Sequence, residues 1–95
     1  MTASPSPWAA AGVALEADLQ RLLQPEQLAV RDDGHLHAGR AGAKTGGHFT
    51  VRIVAARFAG LSRVGRHRLV YDALGPLADR GIHALAIEAL APGEA

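Results

Sequence analysis

Two strand-like runs, HFTVRIVA (48–55) and IHALAIEAL (82–90), flank a segment with helical spacing, and this pattern constrains the fold more than any other feature. In the first run Phe49, Val51 and Ile53 alternate with Thr50 and Arg52, the period of a half-exposed strand. Between the runs, LSRVGRHRLVYDALGPLADRG sets Val70, Leu74 and Leu77 at i, i+4 and i+7 with Ala73 beside them, which is one helical face. A helical connection of that length predicts a right-handed crossover joining two parallel strands. Ser62 is expected to cap the helix, and Gly65 to divide a short first turn from the main helix. Gly75-Pro76 should kink or end it, because Pro76 has no N–H for the carbonyl of Asp72.

Upstream, Ser6 is placed to cap and Pro7 to open a helix over WAAAGVALEADLQRLL, with Leu15, Leu19, Leu22 and Leu23 on one face. Pro25 ends that helix. QLAVRD turns Leu28 and Val30 inward as a short strand, expected to pair with the second strand as a long-looped hairpin. The order is α-β-β-α(α)-β, an α+β class with a three-stranded mixed sheet and helices on one face. The 95 residues divide into a flexible lead-in (1–7), one domain (8–91) and a short tail (92–95). Phe49, Phe58 and Tyr71 are the expected aromatic core, and His67 a helix-packing residue.

Composition narrows the chemistry. The chain has no cysteine, which excludes disulfides, cysteine zinc sites and an iron–sulfur cluster ligated by this chain alone. No apolar run approaches the ~20 residues that span a bilayer, and no signal-peptide pattern opens the chain, so a cytoplasmic location is expected. Ser62 has no evident base and orienter, and there is no Walker loop, so no catalytic residue is assigned. Residues 34–48, GHLHAGRAGAKTGGH, carry His35, His37 and His48 among five glycines. Imidazole is the commonest protein metal ligand, yet so glycine-rich a loop cannot hold three rings in fixed geometry by itself. His48, opening the second strand, is expected to hydrogen-bond loop backbone.

The run from His48 to Glu94 resembles the BolA family. The matching pieces are a His opening strand two, F-x-G, R-H-R-x-V-Y-x-x-L, and I-H-A-L on the last strand, with DDGHLHAG resembling the family's acidic, histidine-bearing loop. The resemblance extends from about Leu15 to Glu94. It implies an α-β-β-α-α-β fold related to type II KH domains. It also implies an adaptor that partners a monothiol glutaredoxin and shares a glutathione-assisted [2Fe-2S] cluster in iron trafficking. The partner would supply thiolates, while this chain would supply His83 from I-H-A-L and His37 from the loop, with His35 as a substitute. Two imidazoles would then complete half a ligand shell, as in a Rieske centre.

The resemblance equally implies an alternative, since bacterial members have been described as DNA-binding transcriptional regulators. Arg52, Arg57, Arg63, Arg66 and Arg68 fall in a stretch without a single acidic residue, on a chain of net charge +1. Arg63, Arg66 and Arg68 lie near a helix N-terminus, where the macrodipole disfavours cations, so an anion is expected to dock there. DNA phosphate and an acidic partner surface both fit. The G-x-x-G clamp of KH domains is missing, because Gly60 and Gly65 are spaced G-x-x-x-x-G. Weak, salt-sensitive binding through the Arg63–Leu74 helix is the corresponding expectation. No membrane partner is expected, and pairing of the chain with itself is left open.

Overall fold

The computed structural model describes residues 8–33 and 46–95. Helix α1 runs Ala9–Leu23 and buries Leu15, Leu19 and Leu23, with Leu22 half-buried beside them. Each fully buried leucine contributes about 1.5–3 kcal/mol relative to exposure, so this one face anchors the helix. The helix stops at Gln24, which takes a left-handed conformation (φ 48°) ahead of Pro25. The cap anticipated at Ser6 and the helix start at Pro7 lie outside the described residues.

Strand β1 (Gln27–Asp32) pairs antiparallel with β2 (Gly47–Val54), setting Leu28 opposite Ile53 and Val30 opposite Val51. Strand β3 (Ile82–Leu90) joins the other edge of β2 in parallel, giving the sheet order β1-β2-β3. The crossover between β2 and β3 is carried by helix α2 (Arg63–Leu74), which presents Val70 and Leu74 to the core. Both helices cover one face, where Leu15, Leu19, Phe49, Val51, Ile53, Phe58 and Val70 are fully buried. The other face carries the alternate residues of the strands, among them Thr50, Arg52, Ala84, Ala86 and Glu88.

Several expectations are corrected here. Gly65 does not divide the helix: α2 runs unbroken from Arg63, because the Ser62 hydroxyl accepts the Gly65 N–H at 3.0 Å and satisfies the first turn. Gly75, at φ 74°, ends the helix before Pro76, so Leu77 lies beyond it and is half-buried. The second helix of the crossover shrinks to a single 3-10 turn, Ala78–Arg80, which Arg80 ties to α1 through Asp18 at 2.7 Å. Another 3-10 turn, Ala56–Phe58, seats Phe58 in the core. Tyr71 is not a core residue. It is 38% exposed, and its hydroxyl donates to the Leu85 carbonyl at 3.3 Å. In the 92–95 tail, Glu94 folds back onto α2.

Candidate functional site

The feature that singles out one end of the sheet is a break in register. Gly47 pairs with Ile82 and His48 with Ala84, so His83 is interposed between two paired residues of β3. Such a bulge changes which way the following residues face. Ile82 is buried, His83 and Ala84 are both exposed, and the inward alternation resumes at Leu85, Ile87 and Ala89. One inserted residue therefore turns His83 to solvent without costing the strand its apolar face. Bulges are over-represented next to active sites for this reason.

Two glycines make the neighbourhood possible. Gly46 takes φ +152°, and a Cβ there would lie 2.8 Å from the backbone nitrogen of His83. At Gly47 a Cβ would lie 2.6 Å from the Phe49 ring and 2.8 Å from Trp8. The Gly47 N–H donates to the Gly81 carbonyl at 2.8 Å, locking the entry of β2 against the entry of β3. On the opposite side, the Asp33 N–H donates to the His48 carbonyl at 2.7 Å. The Asp33 side chain is almost wholly buried and takes hydrogen bonds from Arg31 (2.6 Å) and from the Thr50 hydroxyl (2.5 Å). The Asp33 contact is made by the backbone carbonyl of His48, while its ring packs beside that of His83, centroids 5.1 Å apart and tilted by 47°.

The anticipated ligands His37 and His35 lie outside the described residues. Their segment, 34–45, leaves the sheet at Asp33 and returns at Gly46. It is thereby tethered at the end of the sheet that carries His83. Among the described residues no three His, Cys, Asp or Glu side chains converge on a metal-sized site. Sequence reading missed the bulge and the His48–His83 pair; the double glycine before His48 was the one available signal.

The three arginines of α2 separate. Arg63 and Arg68 are exposed. Arg66 is instead the hub of a clamp. Its guanidinium forks onto the Glu94 carboxylate at 2.5 and 3.0 Å, and it donates to the carbonyls of Leu61 (3.0 Å) and Ala89 (3.1 Å). Glu94 also accepts the Ala91 N–H at 2.8 Å. The Arg66 bonds, with the Ala91 N–H second, hold the Glu94 carboxyl down at about 2. His67 is half-buried on the same helix. Arg52, on the open face, pairs with Glu88 at 3.1 Å.

Comparison with known proteins decides the family. The family model described as BolA-like protein matches residues 19–94. The chain belongs to the BolA-like family. Over 89 residues it is 44% identical to BolA-like protein 1 of Mus musculus, covering 90% of this chain and 64% of that protein. The DNA-binding transcriptional regulator BolA of Haemophilus influenzae is 35% identical, over 84% of this chain and 76% of the relative. Among solved structures, the BolA domain of SufE1 from Arabidopsis thaliana superposes with a TM-score of 0.75 at 41% identity, covering 88% of this chain and 94% of that one. This BolA-like chain thus spans less than two thirds of the mouse relative's length. Its three-stranded mixed sheet with two helices is the fold of those structures. Among the described residues, no helix is long and apolar enough to cross a membrane.

Proposed function

We propose that this BolA-like chain is a non-catalytic adaptor that docks a monothiol glutaredoxin and contributes imidazole ligands to a glutathione-assisted [2Fe-2S] cluster. The observation that carries this reading is the bulge that turns His83 to solvent beside the attachment points of the histidine-bearing segment. The donor chemistry fits half a site. An exposed imidazole on a strand is a preformed ligand, while the absence of any cysteine means the thiolates must come from the partner and from glutathione. His37, with His35 as substitute, is the second ligand, four residues along the chain from Asp33. At no more than ~3.6 Å per residue, four residues reach on the order of 14 Å, enough to bring that imidazole toward His83. A bound cluster would supply the iron whose ligation joins the two proteins. This chain's own residues aim His83 and hold both ends of the 34–45 segment.

The test is direct. Apo-protein mixed with a cluster-loaded glutaredoxin should co-elute on a sizing column and change the visible absorption and circular dichroism. An unchanged spectrum and separate elution would remove the reading.

A second reading has one observation in its favour. Arg63 and Arg68 stand exposed at the N-terminal half of α2, with no acidic residue before Asp72, and a relative carries the name of a DNA-binding regulator. Under this reading the contact surface is Arg63 and Arg68, with Arg66 serving the fold through Glu94. Losing two phosphate contacts would shallow the log–log salt dependence by about 2 units. Retained affinity and slope in the Arg63→Ala/Arg68→Ala variant would exclude α2 as the surface.

A further inference from the structure

The pairing of His48 with His83 goes beyond a cluster shared with a partner. We propose that these two imidazoles form a seat for a single divalent transition-metal cation of the Zn2+ class, loaded by the isolated chain with solvent completing the coordination. Geometry carries the proposal. A tetrahedral ion about 2.0–2.1 Å from one nitrogen of each ring sets the ring centroids on the order of 5 Å apart, with the rings tilted rather than stacked. The two rings stand at 5.1 Å and 47°.

The backbone fixes this arrangement. Strand β2 sets His48 on the open face of the sheet, and the bulge brings His83 to that face at the same level, where regular pairing would have turned it toward the helices. Gly46 lets the chain pass within contact of His83, and the Gly47–Gly81 hydrogen bond holds the two strand entries together. His83 is exposed while the Nε2 of the half-buried His48 is shielded from solvent, so an ion reaches the pair from the His83 side.

Charge agrees with the geometry. At the β1 end Arg31 is paired with Asp33, and Asp33 is tied to His48 through its backbone N–H, which keeps a carboxylate at this end of the sheet. With imidazole and water as the only donors, the seat selects borderline ions of the Zn2+, Cu2+ and Ni2+ group over Ca2+ or Mg2+. Two protein ligands leave an open site of the exchangeable kind rather than a closed structural one. The seat needs no partner protein, and neither does its test, so its failure would leave the adaptor reading standing and the reverse.

The experiment titrates the full chain with Zn2+ by calorimetry and follows the imidazole nitrogens by 15N NMR. One equivalent should bind and shift the ring resonances of both His48 and His83. His48→Ala and His83→Ala should each weaken binding by more than about tenfold, since even outer-shell partners of a metal ligand are worth 10–100-fold. The His67→Ala variant, which removes a histidine of helix α2, should retain the wild-type affinity. Should His48→Ala fail to fold by circular dichroism, the two ring resonances of the unaltered protein decide. Zn2+ that moves neither ring, or only His83, overturns the proposal, as does a folded His48→Ala protein that binds like wild type.

Discussion

The two ends of β3 carry the two chemically conspicuous motifs of the chain, and they use them in opposite ways. At the N-terminal end, I-H-A-L places His83 on a bulge, exposed, with one imidazole neighbour and the ends of a glycine-rich segment around it. Roughly 20 Å away at the strand's rise per residue, the arginine at the centre of the basic run is spent on structure. Arg66 binds Glu94, the Ala89 carbonyl and the Leu61 carbonyl at once, sewing helix α2, the end of β3 and the chain's last residues together. Tyr71 does similar service one turn and more along the helix by capping the Leu85 carbonyl. These two contacts satisfy acceptors on the outer edge of β3, an edge that would otherwise offer a template for pairing with another chain. Motif residues at one end close the fold, and those at the other end are left to meet something else.

This contrast predicts that substitutions at the two ends fail differently. The largest effect belongs to His83→Ala. The protein should stay within about 0.5 kcal/mol of wild-type stability, as surface substitutions usually do, yet lose the cluster-bearing complex with glutaredoxin on a sizing column. A variant that formed the complex normally would erase the functional half of the comparison. Next comes Gly46→Ala. Its Cβ would press on the His83 backbone at 2.8 Å in a left-handed conformation, and strain of this type costs on the order of 1–3 kcal/mol. Urea unfolding should show that loss, with the 15N shift of His83 displaced as well.

At the closed end the expected effect depends on pH. The Glu94 carboxyl sits at about 2 in the fold, depressed chiefly by Arg66, against an ordinary 4.5. Because the folded value is the lower one, the clamp's contribution is fully present above 4.5 and is lost as pH falls toward 2. Glu94→Gln should therefore have a lower urea midpoint than wild type at neutral pH, and the two proteins should converge as pH falls toward 2. Parallel curves throughout would show that the carboxylate charge contributes nothing. The smallest effect is assigned to Arg63→Ala/Arg68→Ala, which should leave the midpoint unchanged within about 0.5 kcal/mol. Arg66→Ala should lower it, and equal behaviour of the three arginines would dissolve the distinction between clamp and free surface.

Much of this architecture was legible in the residues. Period-two runs gave β2 and β3 nearly to the residue, and the i, i+4, i+7 leucines gave the buried face of α1. Where sequence reading went astray, a tertiary contact had overridden a local preference. Gly65 suggests a break by its low helix propensity, but the Ser62 cap falls on it and the helix continues. Tyr71 has the apolar bulk of a core residue, yet its hydroxyl finds a strand-edge carbonyl and keeps the ring at the surface. Arg66 looks like its neighbours Arg63 and Arg68 in composition; only the return of Glu94, 28 residues later, sets it apart. The bulge at His83 leaves almost no trace in I-H-A-L, because register is a property of two strands and not of one. His83 itself was legible only through its resemblance to the family, and His37 and His35 fall outside the described residues.

The central claim is that His83 gives its imidazole to iron in the shared cluster. The most direct measurement is pulsed electron paramagnetic resonance on the reduced [2Fe-2S] complex, formed with this chain 15N-labelled at histidine and the glutaredoxin unlabelled. The account predicts directly coordinated 15N couplings from this chain in the wild-type complex, with the His83 coupling missing from whatever cluster-bearing complex His83→Ala still forms. A reduced cluster in the wild-type complex without any such 15N coupling, or one whose coupling persists unchanged in His83→Ala, would contradict it.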